Sequence, residues 1–239
     1  HDEHLLSIAF PLDVRADLAS CDVQFGVAQR PTHPSSPWDA AKFEVCAHRY
    51  ADLSEPDFGV AVLNNGRYGH ALFDGAIRVS LARAAKYPDP EADHGHHEVS
   101  FAILPHEAGL AQVRAAASLF NSPLREVGGE ALAAAIPVVS VVADNGANPS
   151  GIEIDAVKLA DDGSGDLIVR LHEACGNRVR CSVRSSLRVA AAWRCNLLEE
   201  PSVGEEVGDG IVTLTLRPFQ LLTLRMQLRS GSDGRFLSD

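Results

Sequence analysis

Hydrophobic and polar residues alternate along most of this chain, as they do in β-strands that bury one face. Four stretches place their large apolar residues at every second position: AIRVSLAR (76–83), EVSFAIL (98–104), IVTLTLR (211–217) and LLTLRMQL (221–228). The dipeptide Asp74-Gly75 before the first stretch is typical of a tight hairpin turn. These patterns predict half-buried antiparallel strands arranged as a β-sandwich.

One segment departs from this alternation. The stretch HEAGLAQVRAAASLFNSPL (106–124) is rich in alanine and spaces its apolar residues like a helix from Leu110 to Phe120. The sequence NSP (121–123) that follows is typical of a helix end. We therefore expect one short helix here, packed on the edge of a sheet.

A loop-like stretch divides the chain into two predicted sandwiches. ADNGANPSG (143–151) collects Asn, Gly, Pro and Ser between two strand regions. We expect an all-β fold, with a large antiparallel sandwich over residues 1–148 and a small C-terminal sandwich over 150–229. The residues of the tail, 230–239, are expected to be disordered.

Composition narrows the classes of function. The 239 residues carry a formal net charge of −11, most of it in the first sandwich, which argues against nucleic acid as a partner. The longest apolar runs are too short to cross a membrane. Five cysteines without a CxxC pair favour reduced thiols and a cytoplasmic location.

The start of the chain, HDEHLLSIAFPLDV, does not read as a signal peptide, because no basic segment precedes its apolar run. That apolar run begins almost at the first residue and looks like a strand whose surroundings are missing. We expect the chain to be a portion of a longer protein.

Polar and aromatic residues are concentrated where one predicted strand ends. The apolar run from Val60 to Leu63 leads directly into NNGRYG (64–69), and a cluster of charged residues precedes the run at His48, Arg49 and Asp52. A polar, aromatic loop at the end of a buried strand is a common place for binding groups.

Long stretches of the chain resemble the C-terminal half of family 38 glycoside hydrolases, the α-mannosidases, and are most similar to the cytosolic and bacterial branch. The resemblance covers most of residues 1–148 and is weaker beyond them. The segments that carry it are RPTHPSSPWDAAKFEVCAHRYADLSEPDFGVAVLNNGRYG (30–69), SLARAAKYPDPEADHGHHEVSFAILPH (80–106), LFNSPL (119–124), IEIDAVKLADDGSGDLIVRLHEACG (152–176) and LTLRPFQLLTLRM (214–226).

This resemblance implies a galactose-mutarotase-like supersandwich followed by the family's last small β-domain. It also implies a retaining, zinc-dependent hydrolysis of α-mannosidic bonds in glycans. The nucleophile and the Zn²⁺ ion belong to an N-terminal catalytic domain whose motifs this sequence lacks. We therefore expect no catalytic residue and no cofactor in this chain, zinc in the missing domain, and no activity from the chain alone. Its implied partners are that domain and mannose-containing glycans, and homo-oligomer formation is left open.

The resemblance also implies that loops of this half help to wall the mannose pocket. A tyrosine ring can pack on a sugar, and arginine and aspartate can hydrogen-bond its hydroxyl groups. The alternative is that these residues only cap strand ends or face the missing domain. We expect Tyr68 and Arg83 at one end of the large sandwich, on strands that are hairpin neighbours. The candidate substrate-binding residues are Asn64, Arg67, Tyr68, Arg83, Tyr87 and Asp89.

Other readings carry less weight. The histidines in ADHGHHE (92–98) suggest a metal clip, but two of them are neighbours in an extended segment and point to opposite faces. A mutarotase-like sugar-binding protein shares the fold class but no required chemistry. A carbohydrate-binding module needs exposed aromatic rings, whereas Trp38 and Trp193 are expected to be buried.

Overall fold

The computed structural model describes residues 3–124, 137–143 and 151–229. Contacts between residues divide the chain into two compact units, His1–Val127 and Gly128–Asp239. The division falls earlier than the predicted boundary at residue 148, so the strand Val139–Ala143 belongs to the second unit. The predicted disordered tail, 230–239, lies outside the described residues.

The first unit is built from antiparallel strands and, among its described residues, two helices. Its elements are β1 (Leu6–Pro11), β2 (Leu18–Val23), β3 (Gly26–Pro31), α1 (Pro37–Ala41), β4 (Val45–Cys46), β5 (Tyr50–Ser54), β6 (Phe58–Asn64), β7 (Gly69–Ala71), β8 (Ala76–Ala82), β9 (Phe101–Glu107) and α2 (Ala111–Asn121). The strands form two sheets, with the orders β1-β8-β7-β4 and β3-β2-β5-β6-β9. The predicted all-β sandwich is confirmed.

The two sheets of the first unit pack face to face. Their shared core contains Ile77 and Val79 from β8 and Leu53, Val60 and Val62 from the other sheet. Alternation decides this arrangement, because each strand turns every second side chain inward. The hairpin between β7 and β8 turns at Asp74 and Gly75, both of which have positive φ, as the Asp-Gly sequence predicted.

Strands β6 and β8, which lead to Tyr68 and Arg83, are not the hairpin neighbours that the sequence predicted. Strand β6 pairs with β5 and β9, whereas β8 pairs with β1 and β7. The chain crosses from one sheet to the other between β6 and β7, and the loop makes that crossing. The sequence could not show this, because the three-residue strand β7 is too short to carry a periodic pattern.

Helix α2 confirms the helical segment, but it packs on a sheet face near the edge rather than on the edge itself. Val113 and Ala117 are fully buried against Ala61 and Leu63 of β6. The helix also covers the edge strand β9, and this changes which face of β9 is buried. The face that holds Phe101 was expected to be buried, yet Ile103 is 55% exposed, while Ala102 and Leu104 pack near the helix.

Helix α1 was missing from the sequence prediction. It is a single turn that begins after Ser36, whose hydroxyl caps the helix by accepting a hydrogen bond from the backbone N–H of Asp39 at 3.2 Å. Trp38, which was expected to be buried, lies on this helix and is 78% exposed.

The second unit is also an antiparallel sandwich. Its described elements are β10 (Val139–Ala143), β11 (Ile152–Leu159), β12 (Leu167–Glu173), β13 (Val179–Ser185), β14 (Val189–Cys195), β15 (Pro201–Glu205), β16 (Val207–Gly208), β17 (Ile211–Leu216) and β18 (Leu221–Leu228). They form sheets with the orders β10-β13-β17-β16 and β11-β12-β18-β14-β15. The alternation in IVTLTLR and LLTLRMQL holds, because Leu214, Leu216, Leu224 and Met226 are all buried in one core.

No helix in the described part of either unit is long and apolar enough to cross a membrane.

Candidate functional site

The polar loop predicted from NNGRYG lies at one end of the first unit. Strands β7 and β8 are antiparallel, with His70 opposite Val79, so residues just before β7 and just after β8 share one end of their sheet. Tyr68 and Arg83 therefore lie at the same end, although they come from different strands. We call residues 64–68 the crossing loop.

Asn64 holds the crossing loop in shape. Its side-chain Nδ2 donates to the carbonyl of His48 at 2.8 Å, and its Oδ1 accepts from the backbone N–H groups of Gly66 and Arg67 at 3.0 and 2.7 Å. The residue is fully buried. Asn64 can thus position the loop, but it has no exposed surface that a sugar could touch.

Arg83 is held at this end by a carboxylate. Oδ2 of Asp93 accepts from the backbone N–H groups of Arg83 and Ala84 at 2.7 and 3.0 Å. These hydrogen bonds lower the pKa of Asp93, with the nearby Arg67 adding to the effect. Arg83 itself is exposed.

Tyr68 presents an aromatic ring at the same end. The ring is 55% exposed and rests beside His48, with the two ring centroids 5.0 Å apart and tilted by 51°. Arg67, next to it, is half-buried. This end of the unit therefore carries an exposed aromatic ring together with two arginines, Arg67 and Arg83, and these residue types suit polyhydroxylated ligands.

A buried ion pair supports the segment on which Tyr68 rests. Asp22 is 2% exposed and accepts from the guanidinium of Arg49 through both carboxylate oxygens, each at 2.9 Å. It also accepts from the backbone N–H of Arg49 at 3.0 Å. Because a two-bond pair of this kind fixes orientation, the neighbouring His48 has a defined position.

The remaining candidates lie further along the same segment. Tyr87 is 88% exposed. Asp89 accepts from the backbone N–H of Glu91 at 2.9 Å through Oδ1, so this oxygen serves the local turn. The structure thus places Tyr68 and Arg83 at one end of the unit and gives Asn64 a supporting position.

Comparison with known proteins identifies the family. The family model "Glycosyl hydrolases family 38 C-terminal domain" matches residues 1–91, and "Glycosyl hydrolases family 38 C-terminal beta sandwich domain" matches residues 151–224. The chain belongs to glycosyl hydrolase family 38. It corresponds to the C-terminal part of the family, as the resemblance predicted.

Curated relatives in family 38 align with almost the whole chain. "Alpha-mannosidase 2C1" from Homo sapiens is 39% identical over 236 residues, which cover 96% of this chain and 22% of that protein. "Alpha-mannosidase" from Saccharomyces cerevisiae is 32% identical over 239 residues, covering 92% of this chain and 22% of that protein. The chain thus spans about a fifth of the length of these relatives.

A solved structure shares the fold. The crystal structure of an alpha-mannosidase from Enterococcus faecalis V583 superposes with a TM-score of 0.73 at 22% identity. The match covers 95% of this chain and 26% of that one. At this identity the likeness supports the fold.

The described residues of this family 38 chain contain no group of three or more His, Cys, Asp or Glu side chains that could hold a metal ion. Among the histidines of ADHGHHE, Nε2 of His97 lies 2.9 Å from the carbonyl oxygen of Asp93.

Sequence reasoning missed several residues that shape this end. Asp22 and Arg49 form their pair across 27 positions, and Asn65 accepts from the backbone N–H of Ser100 at 3.0 Å. The signal that could have found the turn is Asn-Asn-Gly itself, because asparagine side chains often bond to the backbone two residues on.

Proposed function

We propose that this chain is the C-terminal, noncatalytic portion of a cytoplasmic, retaining, zinc-dependent α-mannosidase that hydrolyses α-mannosidic bonds in glycans. The observation that carries the proposal is the alignment of 96% of the chain with a relative named alpha-mannosidase at 39% identity. The unpaired state of Cys21, Cys46 and Cys195 is compatible with a reducing compartment.

In this proposal the catalytic groups lie in another region of the same protein. Retaining glycoside hydrolysis requires two carboxyl groups about 5 Å apart around the scissile bond. The end of the first unit offers instead the exposed groups of Tyr68 and Arg83, while the carboxylate of Asp93 accepts from the backbone N–H groups of Arg83 and Ala84. Zinc would be held in the catalytic region, which is the expected partner of this chain together with mannose-containing glycans.

The role of the first unit is to complete the wall of the sugar pocket. Tyr68 would pack its ring against the apolar face of a mannose unit, while Arg67 and Arg83 would donate to hydroxyl groups. The support is the shared location of these side chains and the two rigid elements that hold them, the Asn64 turn and the Asp93 hydrogen bonds. Tyr87 and Asp89 would lie further from the mannose unit than Tyr68 and Arg83.

The experiment compares the full-length protein with this chain alone, using an aryl α-mannoside as substrate. We expect the full-length protein to turn over the substrate and to lose activity when zinc is removed. The chain alone should be inert with or without added zinc. Turnover by the isolated chain would contradict the proposal.

Variants of the full-length protein test the pocket itself. We expect Tyr68→Ala and Arg83→Ala each to lower kcat/KM by a factor on the order of ten to a thousand, because oriented contacts to the substrate are lost. The matched controls are Phe58→Ala and Arg78→Ala, at the opposite ends of β6 and β8, and these should retain activity. Equal activity for all four variants would remove Tyr68 and Arg83 from the site.

A carbohydrate-binding module is the second candidate, and one observation favours it. Trp38 is 78% exposed and Phe43 is 67% exposed, so aromatic surface is available outside the crossing loop. Isothermal titration of the chain alone with mannose oligosaccharides tests this candidate. Binding that disappears in Trp38→Ala but persists in Tyr68→Ala would favour the module over the pocket wall.

A further inference from the structure

An open cavity lies at one end of the second unit, where the chain turns from β13 into β14 and from β16 into β17. Its volume is about 360 Å³, within the range of about 300–1,000 Å³ that is usual for small-molecule sites. The polar and charged side chains that line it are Ser185, Ser186, Arg188, Asp209 and Arg229. All of these residues except Ser185 are exposed, so a solute that enters the cavity can reach them.

Two of the lining residues are arginines on neighbouring strands. Val189 of β14 lies opposite Leu228 of β18, and the pairing continues one residue further, because the backbone N–H of Arg229 donates to the carbonyl of Arg188 at 2.8 Å. Residues directly opposite each other in an antiparallel pair project to the same side of the sheet. Arg188 and Arg229 therefore bring two positive charges together, an arrangement that by itself is destabilising.

Other arginines of these two strands have carboxylate partners. Arg194 of β14 forms an ion pair with Glu205. Arg225 of β18 lies 2.7 Å from Asp162. In the described part of the chain, by contrast, no carboxylate forms an ion pair with either arginine of the cavity. Because a guanidinium group stays protonated in proteins, two positive charges without an ion-pair partner border the same space.

One carboxylate also lines the cavity, and the local turn explains its presence. Asp209 and Gly210 connect β16 to β17, and both have positive φ, a conformation that aspartate tolerates better than most residues. The ionised carboxylate of Asp209 can only accept hydrogen bonds. A ligand that suits all three charged residues therefore carries an anionic group for the arginines and a hydroxyl group that donates to Asp209.

We propose that this cavity binds a small phosphate ester that also carries hydroxyl groups, such as a hexose phosphate. Its phosphate oxygens accept from the guanidinium groups of Arg188 and Arg229, whose planar donor geometry matches an oxyanion. A hydroxyl group of the ligand donates to Asp209. Such a ligand offsets the repulsion between the two arginines. The inference depends on the second unit alone and does not require the mannosidase proposal.

The chemistry of the lining separates this ligand from two simpler solutes. A sulfate ion supplies negative charge but has no hydroxyl donor, so it leaves the carboxylate of Asp209 facing an anion. A neutral sugar supplies hydroxyl groups but leaves both arginines without an opposite charge. The phosphate ester should therefore bind more tightly than either of them.

The test titrates the 239-residue chain with glucose 6-phosphate, sulfate and glucose at equal ionic strength, followed by ¹H–¹⁵N NMR. Probes based on glucose are used so that binding of mannose at the crossing loop does not contribute. We expect saturable shifts of the backbone amides of Ser186 and Gly210 with glucose 6-phosphate. Sulfate should bind several-fold more weakly, and glucose should give no saturable shift at these amides.

Variants locate the binding groups. Arg188→Gln and Arg229→Gln each remove one charge and should each raise the apparent dissociation constant for glucose 6-phosphate about tenfold. Arg178→Gln is the matched control, since this exposed arginine precedes the opposite end of β13, and it should bind like the unaltered chain. Asp209→Asn retains a residue that tolerates positive φ, and it should narrow the difference between sulfate and glucose 6-phosphate.

Three results would overturn the proposal. The first is a linear, unsaturated response to glucose 6-phosphate. The second is an equal dissociation constant in the Arg188→Gln, Arg229→Gln and Arg178→Gln variants, which would exclude the two arginines as ligand-binding groups. The third is sulfate or glucose binding as tightly as glucose 6-phosphate, which would assign the cavity to a simple anion or to a neutral sugar.

Discussion

The two units share an architecture but place their buried and charged groups differently. In the first unit, a carboxylate lies in the interior: Nε2 of His106 is 2.8 Å from Oδ1 of Asp52, and the two side chains are 0% and 1% exposed. In the second unit, carboxylates gather around an arginine of the central strand β18, where Arg225 lies 2.7 Å from both Asp162 and Asp166. The Asp52–His106 pair depends on the space that the packing leaves for it, whereas the carboxylates around Arg225 depend on the attraction of opposite charges.

The interior network of the first unit exists because a glycine leaves room for it. Ser54 donates to Oδ2 of Asp52 at 2.7 Å, and His106 stands opposite Gly59 in the pairing of β6 with β9. A Cβ atom on Gly59 would lie 2.3 Å from the hydroxyl oxygen of Ser54 and 2.5 Å from Nε2 of His106. The space for the polar cluster is therefore set by the absence of one side chain.

The second unit instead surrounds a nearly buried glutamate with cations. Glu199 lies 2.6 Å from Nζ of Lys158 and 3.4 Å from Arg170, and it accepts from the backbone N–H of Asp161 at 2.9 Å. The bond from Lys158 and this backbone bond lower the pKa of Glu199. Sandwiches of similar architecture can therefore stabilise a carboxylate in two ways. One is close packing with a neutralising partner, as at Asp52, and the other is several surrounding cations, as at Glu199.

The largest expected effect follows from filling the space at Gly59. Gly59→Ala should destabilise the first unit by about 3 kcal/mol, because the new methyl group overlaps buried atoms that have little freedom to move. Urea unfolding monitored by amide hydrogen exchange in β6 measures the loss. Gly208→Ala is the matched control, since no atom lies within 4 Å of its Cβ position. Equal losses for the two variants would contradict the shape-dependent network.

A smaller effect is expected at the buried glutamate of the second unit. Glu173 is fully buried and accepts from the backbone N–H groups of Cys175, Gly176 and Phe219, at 2.9, 2.7 and 3.0 Å. Glu173→Gln replaces one accepting oxygen with an amino group and should cost about 1–3 kcal/mol. The exposed Glu206→Gln serves as control in the same urea titration. A neutral result at Glu173 would show that these loops do not need the second oxygen.

The pH dependence of Asp52 should have the sign of a buried acid. Burial raises the pKa of Asp52 above its ordinary value of 3.8, although hydrogen bonds from His106 and Ser54 oppose the shift. The stability that Asp52 contributes is then present below pH 3.8 and lost as the pH rises through the higher folded-state pKa. Relative to Asp52→Asn, the unaltered first unit should become less stable from about pH 3.5 to about pH 7. Urea midpoints at several pH values measure this, and a slope of opposite sign would refute it.

Asp162 should give the smallest effect, with the opposite sign. Hydrogen bonds from Ser164, followed by that from Arg225, lower the pKa of Asp162 to about 2 from 3.8. Its contribution is therefore present above pH 3.8 and is lost as the pH falls towards about 2. Trp193 lies in the second unit, so its fluorescence in a Trp38→Phe background follows that unit. Asp162→Asn should reduce the loss of stability of the second unit as the pH falls below 3.8. An unchanged loss would show that Asp162 does not contribute to the acid sensitivity.

Local periodicity explains why much of the fold could be predicted. Strand β17 reads correctly because Val212, Leu214 and Leu216 alternate with exposed threonines. Helix α2 reads correctly because its apolar spacing is its own property. The buried face of strand β9 could not be predicted in this way, because it depends on helix α2, which packs across the strand. Phe101 meets Phe10 at 5.6 Å between ring centroids, whereas Ile103 stays exposed.

The candidate site likewise has features that the local sequence predicts and features that only long-range contacts create. The polar end could be predicted because Asn-Asn-Gly marks a turn after a buried strand. The pairing of His106 with Asp52 spans 54 positions, and the residues around neither of them predict it. The same holds for the contact of Tyr68 with His48, which lie just beyond the pairing of β4 with β7, where Cys46 is opposite Gly69.

One hydrogen bond at the crossing loop has a consequence for how this sequence can change over time. Nδ2 of Asn121, at the last turn of α2, donates to the backbone carbonyl of Asn64 at 3.1 Å and to that of Ala117 at 3.0 Å. The helix end and the loop are thus tied together at a fixed distance. An insertion in the 122–124 region leaves this tie intact, whereas one between 111 and 121 displaces it. Aligned relatives should accordingly accept length changes after the helix and reject them within it, and lineages that replace Asn121 should also remodel the segment around position 64.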